Sequence, residues 1–389
     1  MSDRLTILIT NIWLADRAGS EVVVRDLAVG LARRGHRPIV YSPTLGAVAA
    51  EIAARGIAVI DDLQKLAETP DIVHGQHSIP AAEALIRFPS APAIYVCHSF
   101  DMWLEAPVHF PQIGAYVAVD EACRDRLVHT EGIAPARVVI LRNAVDLKRV
   151  PARPRELAAR PRSALAFAKA CNVPQVAAAC EKLGVAYHAI GQAAGRVVAD
   201  PEQEMVKFDL VFTSARGALE ALCCGCAVIV CDGRGLAGLV TSRNYATLRA
   251  QNFGLRSLIE PVTVERCVEE MGRYDRDNAA VVTDLARRDA DLEEALDELE
   301  KLYAEVRSGA RRPTFSAAEH GRAVTRFLNE HLPRRPGLWP WTAEREGAQI
   351  RAQSLEQSID HLTLADLKRS RLLKLGRMLR RMMGRPTPY

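Results

Sequence analysis

Residues 209–235 read DLVFTSARGALEALCCGCAVIVCDGRG. An apolar strand runs into a turn carrying Ser214, Arg216 and Gly217, and a helix opens on Leu219-Glu220-Ala221-Leu222 before a second apolar strand follows. That order builds an anion site. A helix start offers backbone N–H groups without intrahelical partners and a positive dipole end. Gly217 lets a backbone approach, and Arg216 adds a planar fork of donors. Glu220 in the first turns of a packed helix wants a hydroxyl partner, and a ribose supplies two. Arg216 and Glu220 are also spaced i, i+4, so a mutual salt bridge is the alternative to a nucleotide-diphosphate pocket.

The chain around this stretch alternates strands with amphipathic helices. Strands are expected at 5–10, 37–43, 56–60, 71–76, 93–99, 115–120 and 138–143, and a helix at 21–35 turns Val24, Leu27 and Leu31 to one side. A second alternating block has strands at 163–169, 184–191, 209–214 and 227–232, then helices to about residue 306. Such alternation predicts parallel sheets covered on both faces, with ligands at the carboxyl ends of the strands. Between the blocks, KRVPARPRELAARPR at 148–162 suits an exposed linker. The acidic run 284–306 reads as one long surface helix, and its D-x-D patterns as solvated charge rather than a metal site. Ser316 and Glu319 form a capping box for a helix through Asn329.

At 389 residues, with 25% charged residues and a net charge of +4, the chain suits two domains plus an appendage. No apolar run approaches ~20 residues, so no membrane-spanning helix is expected, and the N-terminus reads as a strand rather than a leader. The nine cysteines fall mostly in apolar runs without zinc-ribbon spacing. They read as buried small residues in a reducing, cytoplasmic setting, and no metal is expected. Residues 364–385 form a basic amphipathic helix, fit either for an anionic membrane surface or for packing on the body or a second subunit. No basic stripe elsewhere points to nucleic acid. No G-x-S-x-G elbow supports a hydrolase, and no G-x-G-x-x-G after the first strand supports a dehydrogenase.

Several separate pieces resemble the GT-B glycosyltransferases, and in particular the large retaining nucleotide-sugar family four. Ala18-Gly19-Ser20-Glu21 resembles the family's G-G-x-E loop, and Asp71-Ile72-Val73-His74-Gly75-Gln76-His77 its D-V-V-H-x-H strand end. Val119-Asp120-Glu121-Ala122 is similar to V-S-E-A, and Arg142-Asn143-Ala144-Val145-Asp146 to P-N-G-V-D. Glu220 matches the second glutamate of E-x7-E, but Phe212 stands where the first belongs.

The resemblance covers about residues 5–305. It implies two Rossmann-like domains facing a cleft, at 1–147 on the acceptor side and 163–306 for the donor nucleotide, joined by 148–162 and followed by a helical extension at 307–389. It implies a hexosyl transfer from a nucleotide-diphosphate sugar to a glycan or lipid-linked acceptor, retaining and without metal or other cofactor. His98, Arg216 and Lys169 are the implied catalytic residues. Gly19, Asn143, Ser214, Gly217 and Glu220 are the implied donor contacts. A non-catalytic GT-B-like assembly protein and a sugar-nucleotide epimerase are the alternatives.

Overall fold

The computed structural model describes residues 4–17, 19–150, 156–168, 173–311 and 314–331. The first module is a seven-stranded sheet of β1 (Thr6–Thr10), β2 (Arg37–Tyr41), β3 (Ala58–Ile60), β4 (Ile72–Gln76), β5 (Ala93–Cys97), β6 (Ile113–Ala118) and β7 (Val138–Ile140). Their order is β3-β2-β1-β4-β5-β6-β7, and every pairing is parallel. The continuous apolar character of TILIT and AIYVC follows from that, since a central parallel strand is covered on both faces.

The second module has β8 (Ser163–Phe167), β9 (Ala186–Ile190), β10 (Leu210–Thr213), β11 (Ala227–Asp232) and β12 (Gly235–Leu239) in the order β12-β11-β10-β8-β9. β12 runs antiparallel to β11 and was not expected. Its sequence GLAGL lacks the β-branched and aromatic residues that mark a strand. The strand order reverses between β1 and β4 in one sheet and between β8 and β10 in the other. Those two switch points are where open α/β sheets bind ligands.

The acidic run after residue 284 is corrected by the structure. It is two helices, Arg276–Asp289 and Leu292–Arg307, parted at Asp291, whose side chain accepts from the amide of Glu293. The second helix is no surface element of the second module. Leu296, Leu299, Tyr303 and Val306 are buried in the core of the first module. Glycine makes room for it: a Cβ on Gly30 would lie 2.6 Å from Leu296, and one on Gly114 would lie 2.8 Å from Val306.

The chain therefore crosses between modules twice, and the crossings touch. Val145 donates to the carbonyl of Ala290 at 2.8 Å, and Leu292 donates back to Val145 at 3.1 Å. The expected exposed linker is partly buried as well, through Val150 and Leu157. Helix Ala317–His331 carries the expected capping box, with Ser316 N–H donating to Glu319 Oε2 at 2.7 Å and Glu319 N–H donating to Ser316 Oγ at 3.2 Å. Its Val324 and Phe327 pack on the first core. None of the described helices is long and apolar enough to cross a membrane. The expected amphipathic helix at 364–385 lies outside the described residues.

Candidate functional site at the interdomain crevice

The second module's contribution begins where β10 ends. Ser214 Oγ donates to Asp232 Oδ2 at 2.7 Å, tying the turn to the end of β11. Ala215 then takes a positive φ of 51° with ψ of −134°, a sparsely populated conformation that costs a non-glycine residue about 1–3 kcal/mol. Its amide is held by the carbonyl of Phe253 at 2.8 Å, so neighbouring structure fixes the strained turn. Helix Arg216–Cys223 follows directly, with Gly217 buried in its first turn. Phe212 is buried in the second module's core, so a glutamate there would enter an apolar cluster rather than a cleft.

Arg216 and Glu220 are both buried, and they hold each other: Arg216 Nε donates to Glu220 Oε1 at 2.9 Å. The i, i+4 salt bridge is thus the arrangement observed. It corrects the expectation that Glu220 holds its carboxylate ready for a ribose. Arg216 also donates to the carbonyl of Ala144 at 3.2 Å and to Asp26 Oδ2, across the module boundary. Asp26 sits on helix Gly19–Arg33 of the first module, where its Oδ1 takes both Nε (3.0 Å) and Nη2 (2.8 Å) of Arg25. Arg149, from the first chain crossing, places Nη2 3.4 Å from Asp26 Oδ2 and 3.5 Å from Glu220 Oε1, and its Nη1 pairs with Glu202.

Three guanidinium groups (Arg25, Arg149, Arg216) thus face three carboxylates (Asp26, Glu202, Glu220), and Arg25 also pairs with Glu51 at 3.2 Å. Burial pushes the Asp26 carboxyl up, but Arg216, Arg149 and Arg25 outweigh it and hold the group below its ordinary range. Burial also opposes the charge on Arg149, yet Asp26, Glu202 and Glu220 raise its pKa. Sequence reasoning missed Asp26 and Arg149. Arg149 was lost in a basic linker. The signal for Asp26 was a charge pair, Arg25-Asp26, set between the apolar positions of the first helix.

The first module presents histidines. The His98 ring meets Gln76 Oε1 at 2.7 Å, and its backbone N–H donates to Glu105 Oε2 at 3.0 Å. The other oxygen of Glu105 lies 3.2 Å from His77 Nε2. His77 Nδ1 accepts from the amide of Ile12 at 3.2 Å, which places its proton on Nε2, toward Glu105. Burial lowers the His98 pKa, so this ring stays neutral. His74 Nδ1 meets the Tyr303 hydroxyl at 2.7 Å, and burial brings its pKa down to about 3.

A cavity of about 70 Å³ separates the two groups, and Asp26, His74, His98, Asn143 and Arg216 line it. Three expected site residues, His98, Asn143 and Arg216, therefore meet from both modules. Asn143 is anchored through its carbonyl, which accepts from Arg249 Nη2 at 2.9 Å. Gly19 is exposed at the start of its helix. Lys169 lies outside the described residues.

Comparison with known proteins bears on the fold. Residues 17–149 match the sequence model of Glycosyltransferase Family 4. No curated protein sequence matches the chain. A glycosyltransferase from Rickettsia africae shares 14% identity, with a TM-score of 0.55 over 78% of this chain and 99% of its own. HepE from Anabaena, solved with UDP and glucose, gives 13% identity and a TM-score of 0.54 over 77% of this chain and 100% of its own. A Listeria monocytogenes protein assigned as a UDP-N-acetylglucosamine 2-epimerase gives 14% and 0.51 over 81% and 100%. The architecture is GT-B, with two Rossmann-like modules. The family model covers the first module, and the likeness to the solved structures is one of fold.

Proposed function

We propose that this chain transfers a sugar from a nucleotide-diphosphate donor to a glycan or lipid-linked acceptor, without a metal and with retention of configuration. The observation that carries the reading is the meeting of Arg216, at a helix start on one switch point, with His98 and Asn143 from the facing module around a single cavity. The donor's diphosphate lies against Arg216 and the amides of the first turn, and the sugar faces His98 and Asn143. Expulsion of a nucleoside diphosphate develops negative charge on the leaving oxygen. A preorganised guanidinium lowers that barrier without proton transfer. Neutral His98, held by Gln76 and Glu105, offers hydrogen bonding to a sugar hydroxyl without adding charge. That HepE binds UDP and glucose supports a donor of this chemical kind.

The cavity of about 70 Å³ is small beside the roughly 300–1,000 Å³ of ordinary ligand sites, so donor entry requires the modules to separate. The pairing of Glu220 with Arg216 favours one second reading, a GT-B protein that binds partners and never turns over. Donor hydrolysis assays separate the two. The segment at 364–385 supports an acceptor at an anionic membrane surface on the cytoplasmic side, as in envelope polysaccharide synthesis, and vesicle co-sedimentation tests it.

The direct test is calorimetric titration of UDP, GDP and ADP into wild type and Arg216→Lys, which keeps a charge opposite Asp26 but removes the guanidinium fork. One diphosphate should bind wild type and bind the variant about tenfold more weakly. Binding by neither, or equal binding by both, overturns the assignment.

A further inference from the structure

Asp26 is held as a bound oxyanion is held. Its Oδ2 accepts from Arg216 and lies 3.4 Å from Arg149, while Oδ1 takes two bonds from Arg25. Three guanidinium groups around one buried anion, with Arg216 reaching it from the opposite module and Arg25 from its own helix, is the arrangement expected around phosphate oxygens. The hold of Arg149 on this anion is loose. Its two contacts with Asp26 and Glu220 are at 3.4 and 3.5 Å, and its Nε is buried with no hydrogen-bond partner among the described residues. Its close partner is Glu202, which is fully buried in the second module.

We infer that Arg149 is the second phosphate-binding cation of the donor site, and that Asp26 is an internal anion occupying that site until a nucleoside diphosphate displaces it. The inference rests on the donor reading above and deepens it. When the modules part, Asp26 leaves with the first module. Arg149 stays, because Glu202 ties it to the second module beside Arg216. The paired chain crossings at Val145 and Ala290–Leu292 are the connections about which that parting takes place. A diphosphate then meets two guanidinium groups instead of one, and the single negative charge of Asp26 no longer competes for them. Arg149 takes the role that sequence reasoning gave to Lys169. The competition also sets affinity: the chain binds its donor only by the margin with which a diphosphate outcompetes one carboxylate.

The experiment is titration of full-length wild type, Asp26→Asn and Arg149→Gln with UDP, GDP, ADP and inorganic pyrophosphate. Asparagine keeps the shape of the side chain and removes its charge. Asp26→Asn should bind the preferred nucleoside diphosphate about tenfold more tightly than wild type, and Arg149→Gln about tenfold more weakly. Pyrophosphate should compete with it. An Asp26→Asn protein that melts like wild type yet binds no more tightly overturns the inference. If that variant does not fold, Arg149→Gln decides: an unchanged Kd overturns it. Wild-type binding with both variants unchanged sinks this inference alone. Absence of binding by every protein sinks the donor reading and the inference with it.

Discussion

The crevice has two walls built on different physics. On the first module, His77, His98, Gln76 and Glu105 form a chain of short-range hydrogen bonds within one domain. On the other side, Arg216, Arg149, Asp26, Glu202 and Glu220 form a charge cluster in which Asp26 belongs to the opposite module. The first wall keeps its geometry whatever the distance between modules. The second has its observed geometry only while the modules touch. The difference teaches which contacts depend on the module boundary: neutral groups hold one wall within a single module, and ion pairs that span the boundary hold the other. Buried ion pairs contribute little net stability, because desolvation offsets their attraction, but an orphaned member is costly. The charged wall therefore contributes little net stability while intact and is costly to break one member at a time.

The largest effect expected from breaking this contrast is at Arg216. Arg216→Ala leaves Asp26 and Glu220 short of their shared cation in a buried site, and should cost about 3–5 kcal/mol in urea denaturation. A loss under about 1 kcal/mol, the range of exposed pairs, would show the cluster to be solvated. The next effect sharpens the neutral wall. His74 stays unprotonated in the folded chain down to about pH 3, whereas in the unfolded chain it titrates near 6.5. Its contribution is thus fully present above pH 6.5 and is lost as pH falls from there toward 3. The slope is at most about 1.4 kcal/mol per pH unit. Denaturation of His74→Gln across pH 7 to 5 should show a shallower decline, and parallel slopes would contradict the burial argument. His98 acts in the same direction. The smallest effect concerns the pair between Arg256 of the second module and Asp125 of the first, whose side chains are 40% and 36% exposed. Asp125→Asn should cost less than about 1 kcal/mol, and the cost should vanish in high salt.

Much of this was legible in the sequence, and what was not has a physical pattern. Apolar runs such as TILIT and AVIVCD announce buried strands because continuous apolarity follows from two covered faces. The Arg216 turn was legible because a strand, a small residue and a helix start lie within one short stretch. Local pairs were legible too, including Arg216 with Glu220 at i, i+4 and Ser316 with Glu319 in its capping box. Partners distant in the chain were not. Asp26 and Arg216 are 190 residues apart, and His74 and Tyr303 are 229 apart. The run after residue 284 misled because its leucine spacing fits a surface helix of either module, and only the hydrogen-bonded crossing at Val145 sends its second half back to the first. β12 was missed because a glycine-rich edge strand has no side-chain pattern to read.

The most direct measurement is a crystal structure grown with whichever of UDP, GDP and ADP binds most tightly. The account predicts the modules moved apart, phosphate oxygens about 3 Å from the guanidinium groups of Arg216 and Arg149, and Asp26 withdrawn. A nucleotide seated elsewhere, with Arg216 still bonded to Asp26, would contradict it.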